Sequence, residues 1–357
     1  MKKNALQLLA LTALGVSTLT AQAEGLYTYA LIDAGIASTK ISGLNPPATP
    51  SKTEFVTGGY APTFAGMTYE KGLAGGLTVG GKLEQGFLLS ADSNGKNYGF
   101  GNGDILNREA NIYIKSTAGT FIFGRQPNAA FKTVLLGDPR SGSNYGSSLS
   151  IINLQQGLST VDDAALTYIS TPMGGITGTL EWVPESKAAT TGNLKSGSRA
   201  SVQYAGSAMN IGLATYTDTK YTSSTATANA SGNIASATYK ISAATLKGIY
   251  ATQKTTPSSS SVNTQGFGGA YELTGSTTLD AGLYSSSGGT IKLSTSAMGV
   301  QHKLTKELSL YAQYANVKNK GTSSTYSNFT WYTVFQDTVG VSQTAKTLNA
   351  GLLLALF

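Results

Sequence analysis

The run LSLYAQYAN, residues 308–316, alternates without a break. Leu308, Leu310, Ala312 and Tyr314 fall on one side, and Ser309, Tyr311 and Gln313 on the other. Side chains alternate across a β-strand, so the pattern is a strand with one apolar face. MNIGLATYT (209–217) sets Met209, Ile211 and Leu213 against Asn210, Gly212, Ala214 and Tyr216. LTVGGKLEQGF (77–87) sets Leu77, Val79, Leu83 and Phe87 against Thr78, Lys82 and Glu84. Sixteen windows read as strands: 26–37, 54–70, 76–90, 105–116, 119–126, 163–171, 175–184, 198–206, 209–218, 233–241, 244–254, 262–273, 276–286, 291–304, 307–319 and 347–357. The connections between them alternate. Those at 38–53, 91–104, 127–162, 185–197, 219–232, 255–261, 287–290 and 320–346 are mostly long and polar. The others are tight and carry KGLAG, STAG, PMGG, GSA, SA, LTGS and LTKE. A β-sandwich has no reason to place long and short connections in turn. A membrane barrel has one, because its turns are short on one side and its loops long on the other. The expected fold is all-β: a 16-stranded antiparallel transmembrane β-barrel, apolar outside and polar inside. Its closure pairs the backbone groups that lipid cannot satisfy.

Composition excludes several other classes. The chain has no cysteine, so disulfide frameworks and thiolate metal sites are out. Its single histidine, His302, reads as a surface residue near a strand end and leaves little for metal or proton-shuttle chemistry. Gly (43) and Tyr (19) are abundant and charged residues are only 12%, which favours strands and turns over a helical bundle. There is no Walker loop, zinc pattern or dinucleotide fingerprint. Asp162 and Asp163 are adjacent carboxylates with no histidine near them, and read as a rim or turn. No enzymatic activity and no cofactor is expected.

The first residues, MKKNALQLLALTALGVSTLTAQA, place two lysines before an apolar run and end in Ala-Gln-Ala. This reads as a secretory leader over 1–23, with the barrel expected over 24–357. Loss of Lys2 and Lys3 leaves 23 basic residues against 18 acidic ones, a net of +5. The last strand, LNAGLLLALF, has to close against LYTYALIDAGIA (26–37). Phe357 is expected in the aromatic girdle on the short-turn side, on the face of Ala355. Leu352, Leu354 and Leu356 are expected on the opposite face.

Several stretches, in order, resemble the Gram-negative general porins of the betaproteobacterial type. GLYTYALIDAGIA (25–37) resembles the family's first strand, with Asp33 in its usual place. GLAGGLTVGGKLEQGF (72–87) resembles its second turn and third strand. NREANIYIKSTAGTFIFGRQ (107–126) resembles strands four and five, ending in Gly-Arg-Gln. DDAALTYISTPMGGITGTLEW (162–182) resembles the hairpin after the constriction loop, and LTKELSLYAQYANVKNKG (304–321) the penultimate strand. The resemblance implies a homotrimer in the bacterial outer membrane. It implies that 127–162 is the third loop, folded into the lumen to narrow it. It also implies that Phe357 is read by the barrel-assembly machinery. The function it implies is passive diffusion of small hydrophilic solutes and ions, and the net charge of +5 mildly favours anions.

The candidate pore-lining and constriction residues are Lys82, Glu84, Arg108, Arg125, Asp138, Arg140, Arg199 and Lys240. Glu109, Lys115 and Lys247 join them by strand parity. Arg108 and Arg125 match family arginines. Arg125 shares a face with Phe121 and Phe123, so a bulge has to turn it inward. Family arginines of the second and sixth strands are replaced by Thr63-Phe64 and Thr167 in those neighbourhoods. Two other functions fit the same barrel: a substrate-specific channel, and a plugged surface adhesin that binds through 38–53 and 320–346. Expected partners are outer-membrane lipid and lipopolysaccharide, whose phosphates Lys318 and Lys320 would face.

Overall fold

The computed structural model describes residues 24–43, 51–89, 105–148, 158–187, 193–222, 225–255, 261–322, 326–327 and 338–357. The expected leader, 1–23, lies outside them. All sixteen windows are strands of one closed antiparallel barrel. They are β1 (Gly25–Gly43), β2 (Ser51–Thr57 and Phe64–Gly72), β3 (Thr78–Gly86), β4 (Glu109–Ser116), β5 (Gly119–Pro127) and β6 (Val161–Ser170). Next come β7 (Ile176–Lys187), β8 (Asn193–Ala205), β9 (Met209–Thr222), β10 (Thr225–Ile241) and β11 (Ala244–Thr255). The rest are β12 (Ser261–Glu272), β13 (Thr277–Gly288), β14 (Ile291–Lys303), β15 (Leu308–Asn319) and β16 (Gln343–Leu356).

The seam is the β1–β16 pair, which runs from Ala30↔Leu356 to Gly43↔Gln343. Gly35 lies opposite Gly351. A Cβ at Gly35 would come within 2.7 Å of both Ala350 O and Tyr311 Oη, so glycine makes room for that ring. Tyr311 donates to Asp33 Oδ1 at 2.7 Å. Asp33 Oδ2 accepts from the N–H groups of Tyr60 and Ala61, each at 2.7 Å. Those two residues lie in the break that interrupts β2 around Pro62. Proline cannot donate to a ladder, and the N–H groups freed by the break need acceptors. Asp33 supplies one from the neighbouring strand.

The expected faces of 308–316, 209–217 and 77–87 are the observed ones: Tyr311, Gln313, Ala214, Tyr216 and Glu84 are buried inside, while Leu310, Leu213 and Leu83 are exposed outside. His302 is exposed, with Nδ1 at 2.8 Å from Thr277 Oγ1. Two expectations are corrected. The connections at 185–197 and 219–232 are mostly strand: β8 begins at Asn193, and β9 and β10 run to Thr222 and from Thr225. The ladder continues there because backbone pairing does not require apolar alternation. In β16 the faces are exchanged. Leu352 and Leu356 are exposed, whereas Leu353 and Ala355 are buried with Leu31, Phe64 and Tyr311. Alternation from inward-facing Asn349 requires this. Phe357 lies past the end of β16 and is 76% exposed.

Candidate functional site

The long connection after β5 enters the barrel. Its first part is a helix, α1 (Ala129–Gly137), opened by an asparagine cap: Asn128 Oδ1 accepts from Phe131 N at 2.7 Å. Capping satisfies a helix N–H that has no partner of its own. Ala130, Phe131, Val134 and Leu135 pack with Leu158 against Ala214, Tyr216, Ile234, Ile249 and Ala251 on the inner faces of β9, β10 and β11. Thr238 Oγ1 donates to Leu136 O at 2.6 Å. The helix is therefore fixed to the wall by burial and by a polar contact from β10.

Beyond α1 the segment is pinned at three further places. Asp138 accepts from Tyr284 Oη of β13 at 3.0 Å, and also from Gly142 N and Ser148 N. Arg140 is fully buried, pairs with Asp280 of β13 and donates to Gln313 Oε1 of β15 at 2.8 Å. It also donates to Tyr145 O. Asn144 donates from Nδ2 to Gly58 O at 2.5 Å and from its backbone N to Tyr60 O at 3.0 Å, in the β2 break. Gln313 Nε2 reaches Gly59 O at 2.6 Å. The two loop charges read from the sequence, Asp138 and Arg140, serve here as tethers.

Other predicted residues meet across the wall of β2–β4. Lys82 lies 2.7 Å from Glu109 Oε1 and 3.4 Å from Glu84 Oε2. Arg108, just before β4, turns inward, pairs with Glu84 and stacks 4.2 Å over the Phe64 ring. Tyr29 donates to Glu84 Oε2 at 2.9 Å. Lys115 pairs with Glu70. In each pair the carboxylate is the deeper partner. Side-chain exposure is 14% for Lys82 and 11% for Arg108, against 1% for Glu84 and 7% for Glu109. It is 19% for Lys115 against 8% for Glu70.

Arg199 lies apart from these, fully buried among three carboxylates: Asp162 at 2.8 Å, Glu181 at 3.4 Å and Asp218 at 2.5 Å. Lys240 sits at the short-turn end of β10, exposed, 4.0 Å from Glu272. The inward placement of Arg125 is corrected. The bulge at Gly124/Gln126 turns Gln126 in, and Arg125 stays on the face of Phe121 and Phe123. There it pairs with exposed Asp163 and donates to Asn107 O at 2.9 Å. The adjacent carboxylates thus part to opposite faces: Asp162 is buried with Arg199, and Asp163 is outside.

Sequence reasoning missed Lys132. It lies on α1, half-buried, with no carboxylate at ion-pair distance among the described residues. Desolvation pushes its ammonium below the ordinary lysine range, opposed by Glu181 and Glu109. Lys247 of β11 is likewise without an ion pair among the described residues, and donates to Ser141 Oγ of the inserted segment at 2.8 Å. The helix had a readable signal, an asparagine cap before Ala-Ala-Phe. Glu181, Asp218, Asp280 and Gln313 face inward by parity; Glu181 and Asp218 flank Arg199 from neighbouring strands, whereas the partner of Asp280 and Gln313, Arg140, lies too far along the chain to be paired from sequence.

A barrel with an inserted, wall-bound third loop is an arrangement that can be compared with known proteins. The sequence profile of the Gram-negative porins matches residues 10–322. The chain belongs to the Gram-negative porin family. This porin is an outer-membrane diffusion channel. It is similar in structure to an anion-selective porin from Comamonas acidovorans, at 17% identity and TM-score 0.77, over 93% of this chain and 99% of that one. It is similar to the trimer form of OmpT from Vibrio cholerae, at 16% identity and TM-score 0.64, over 94% and 100%. It is also similar to OmpF of Salmonella typhi in complex with daunomycin, at 11% identity and TM-score 0.62, over 92% and 97%. A comparison with curated protein sequences finds no match.

Proposed function

We propose that the porin passes small hydrophilic solutes with a mild preference for anions. The observation that carries this is the layering of its wall charges. At Lys82, Arg108 and Lys115 the cation is the more exposed partner, and the carboxylate lies behind it. A permeating ion meets the basic ends first. Lys132 on the third loop and Lys247 on the wall against it add two ammonium groups. In a narrow, low-dielectric passage such an imbalance biases which ion enters. Arg199 offsets one of the three carboxylates around it; all are buried, so the acidic excess acts on the passage from a distance.

The same proposal includes a homotrimer, in keeping with the trimeric form among similar structures. It includes a leader cleaved before Glu24, no catalytic step, and recognition of exposed Phe357 by the barrel-assembly machinery. The test is the zero-current potential of the purified protein in a planar bilayer under a KCl gradient. A potential of the anion sign supports the reading, and a cation sign overturns the selectivity while leaving the channel intact.

A further inference from the structure

Around the barrel, strands that neighbour one another also follow one another in the chain, with a single exception. β1 and β16 are the two ends of the barrel chain. Their ladder sets Thr39 opposite Thr347, with hydroxyl oxygens 2.9 Å apart. Bringing such distant segments together costs the closure entropy of everything between them. A terminal strand is also where local opening starts most easily. The inner face of this seam is covered by the tip of the third loop, residues 140–146.

Tyr145 of the tip is only 1% exposed. It packs with Ala297 of β14 and Ala315 of β15 on one side of the seam, and with Ala37 of β1 and Val56 of β2 on the other. Gly146 lies flush on the wall: a Cβ there would come within 2.5 Å of the Ala297 methyl and 2.9 Å of that of Ala315. The polar contacts cross the seam as well. Gln313 Oε1 of β15 accepts from Arg140 and, at 2.7 Å, from Ser143 Oγ. Its Nε2 donates to Asn349 Oδ1 of β16 at 2.8 Å and to Gly59 O in the β2 break at 2.6 Å. Asn349 Nδ2 donates onward to Ile36 O of β1 at 3.1 Å. Asn144 completes the crossing with its two bonds to Gly58 O and Tyr60 O.

We propose that the tip of the third loop locks the β1–β16 seam, a function separate from any narrowing of the passage. Its contacts form only when the last strands and the first strands are both in place. They therefore favour the closed seam over a frayed one. The coupling is reciprocal: a tip that leaves the wall loosens the seam, and a seam that frays releases the tip. The helix α1 takes no part, because it packs on β9–β11, across the barrel from the seam. The lock holds whichever ion the passage prefers.

The test uses the full barrel folded in detergent, with hydrogen–deuterium exchange read strand by strand and the transition temperature read on a gel. Two variants weaken the tip: Y145A removes its apolar anchor, and S143A/N144A removes polar contacts while keeping the Arg140–Asp280 pair. In both, amides of β1 and β16 are expected to exchange on the order of tenfold faster or more, while those of β6–β8 keep the wild-type rate. Y145A is expected to lower the transition by roughly 5–10 °C. The chain has no cysteine, so single disulfides can be placed cleanly. T39C/T347C staples the seam. S198C/T217C staples β8 to β9 at another hydroxyl pair 2.9 Å apart, on the far side of the barrel. The seam staple is expected to restore the transition of Y145A, and the distant staple to restore far less. Should Y145A fail to fold, its folding with the seam staple alone supports the lock. Equal rescue by the two staples overturns the proposal. So does faster exchange spread evenly over all strands, or unchanged exchange in β1 and β16.

Discussion

Arg140, on the inserted loop, donates to Gln313 Oε1 on β15 at 2.8 Å and pairs with Asp280 on β13. Its guanidinium is fully buried. It holds the loop in place and presents no charge to a passing ion. Removing one partner of a buried pair leaves the other charge uncompensated and costs about 3–5 kcal/mol. Arg140→Ala is therefore expected to lower the temperature at which the folded band is lost on a gel. Its single-channel conductance is expected to rise and grow noisier as the loop leaves the wall. Unchanged conductance would mean that the other anchors suffice.

Lys132 and Lys247 carry the selectivity prediction. Two charges about 4 Å apart interact by about 1 kcal/mol in water, a factor of roughly five. Lys132→Glu and Lys247→Glu are each expected to lower the anion-to-cation permeability ratio by about that factor or more, read from the zero-current potential.

The pH dependence of Lys132 has a definite sign. Its charged form carries the preference, and burial moves its titration below the ordinary lysine range. Anion preference should therefore fall as pH is raised, beginning below the range in which an ordinary lysine titrates. Lys132→Gln should remove that part of the profile.

The seam makes a stability prediction. A methyl at Gly35 meets a backbone oxygen and the Tyr311 hydroxyl. Overpacking of this kind costs about 1–3 kcal/mol, so Gly35→Ala should shift the folded-to-unfolded transition to lower temperature. Tyr311→Phe leaves the buried Asp33 carboxylate short of one donor, and should cost about 1–3 kcal/mol by the same assay.

The proposed leader is checked by intact mass. Protein recovered from outer membranes should begin at Glu24, and a mass that retains residues 1–23 would refute the cleavage.

These outcomes draw on parts of the molecule that were unequally legible. The strands were legible because a barrel wall has water on one face and lipid on the other, and LSLYAQYAN shows both at once. Parity placed Lys82, Glu84 and Arg199 inside, where the structure has them. It did not say that Arg199 is enclosed by three carboxylates: Glu181 and Asp218 come from the strands on either side of it, but Asp162 comes from β6, beyond the neighbouring strand. Arg125 was misplaced because its family match was given more weight than the face it shares with two phenylalanines. β16 was misread because Ala355 and Leu353 are as apolar as their lipid-facing neighbours, so the alternation leaves no mark in LLLAL. The cross-loop tethers were hidden for a simpler reason: a side-chain contact between residues 140 and 313 has no local signature.

The measurement that bears most directly on the account is single-channel current from the purified wild-type protein in a planar bilayer. Ohmic conductance arriving in groups of three steps is the predicted result. A heat-modifiable, well-folded barrel that inserts and passes no current would contradict it.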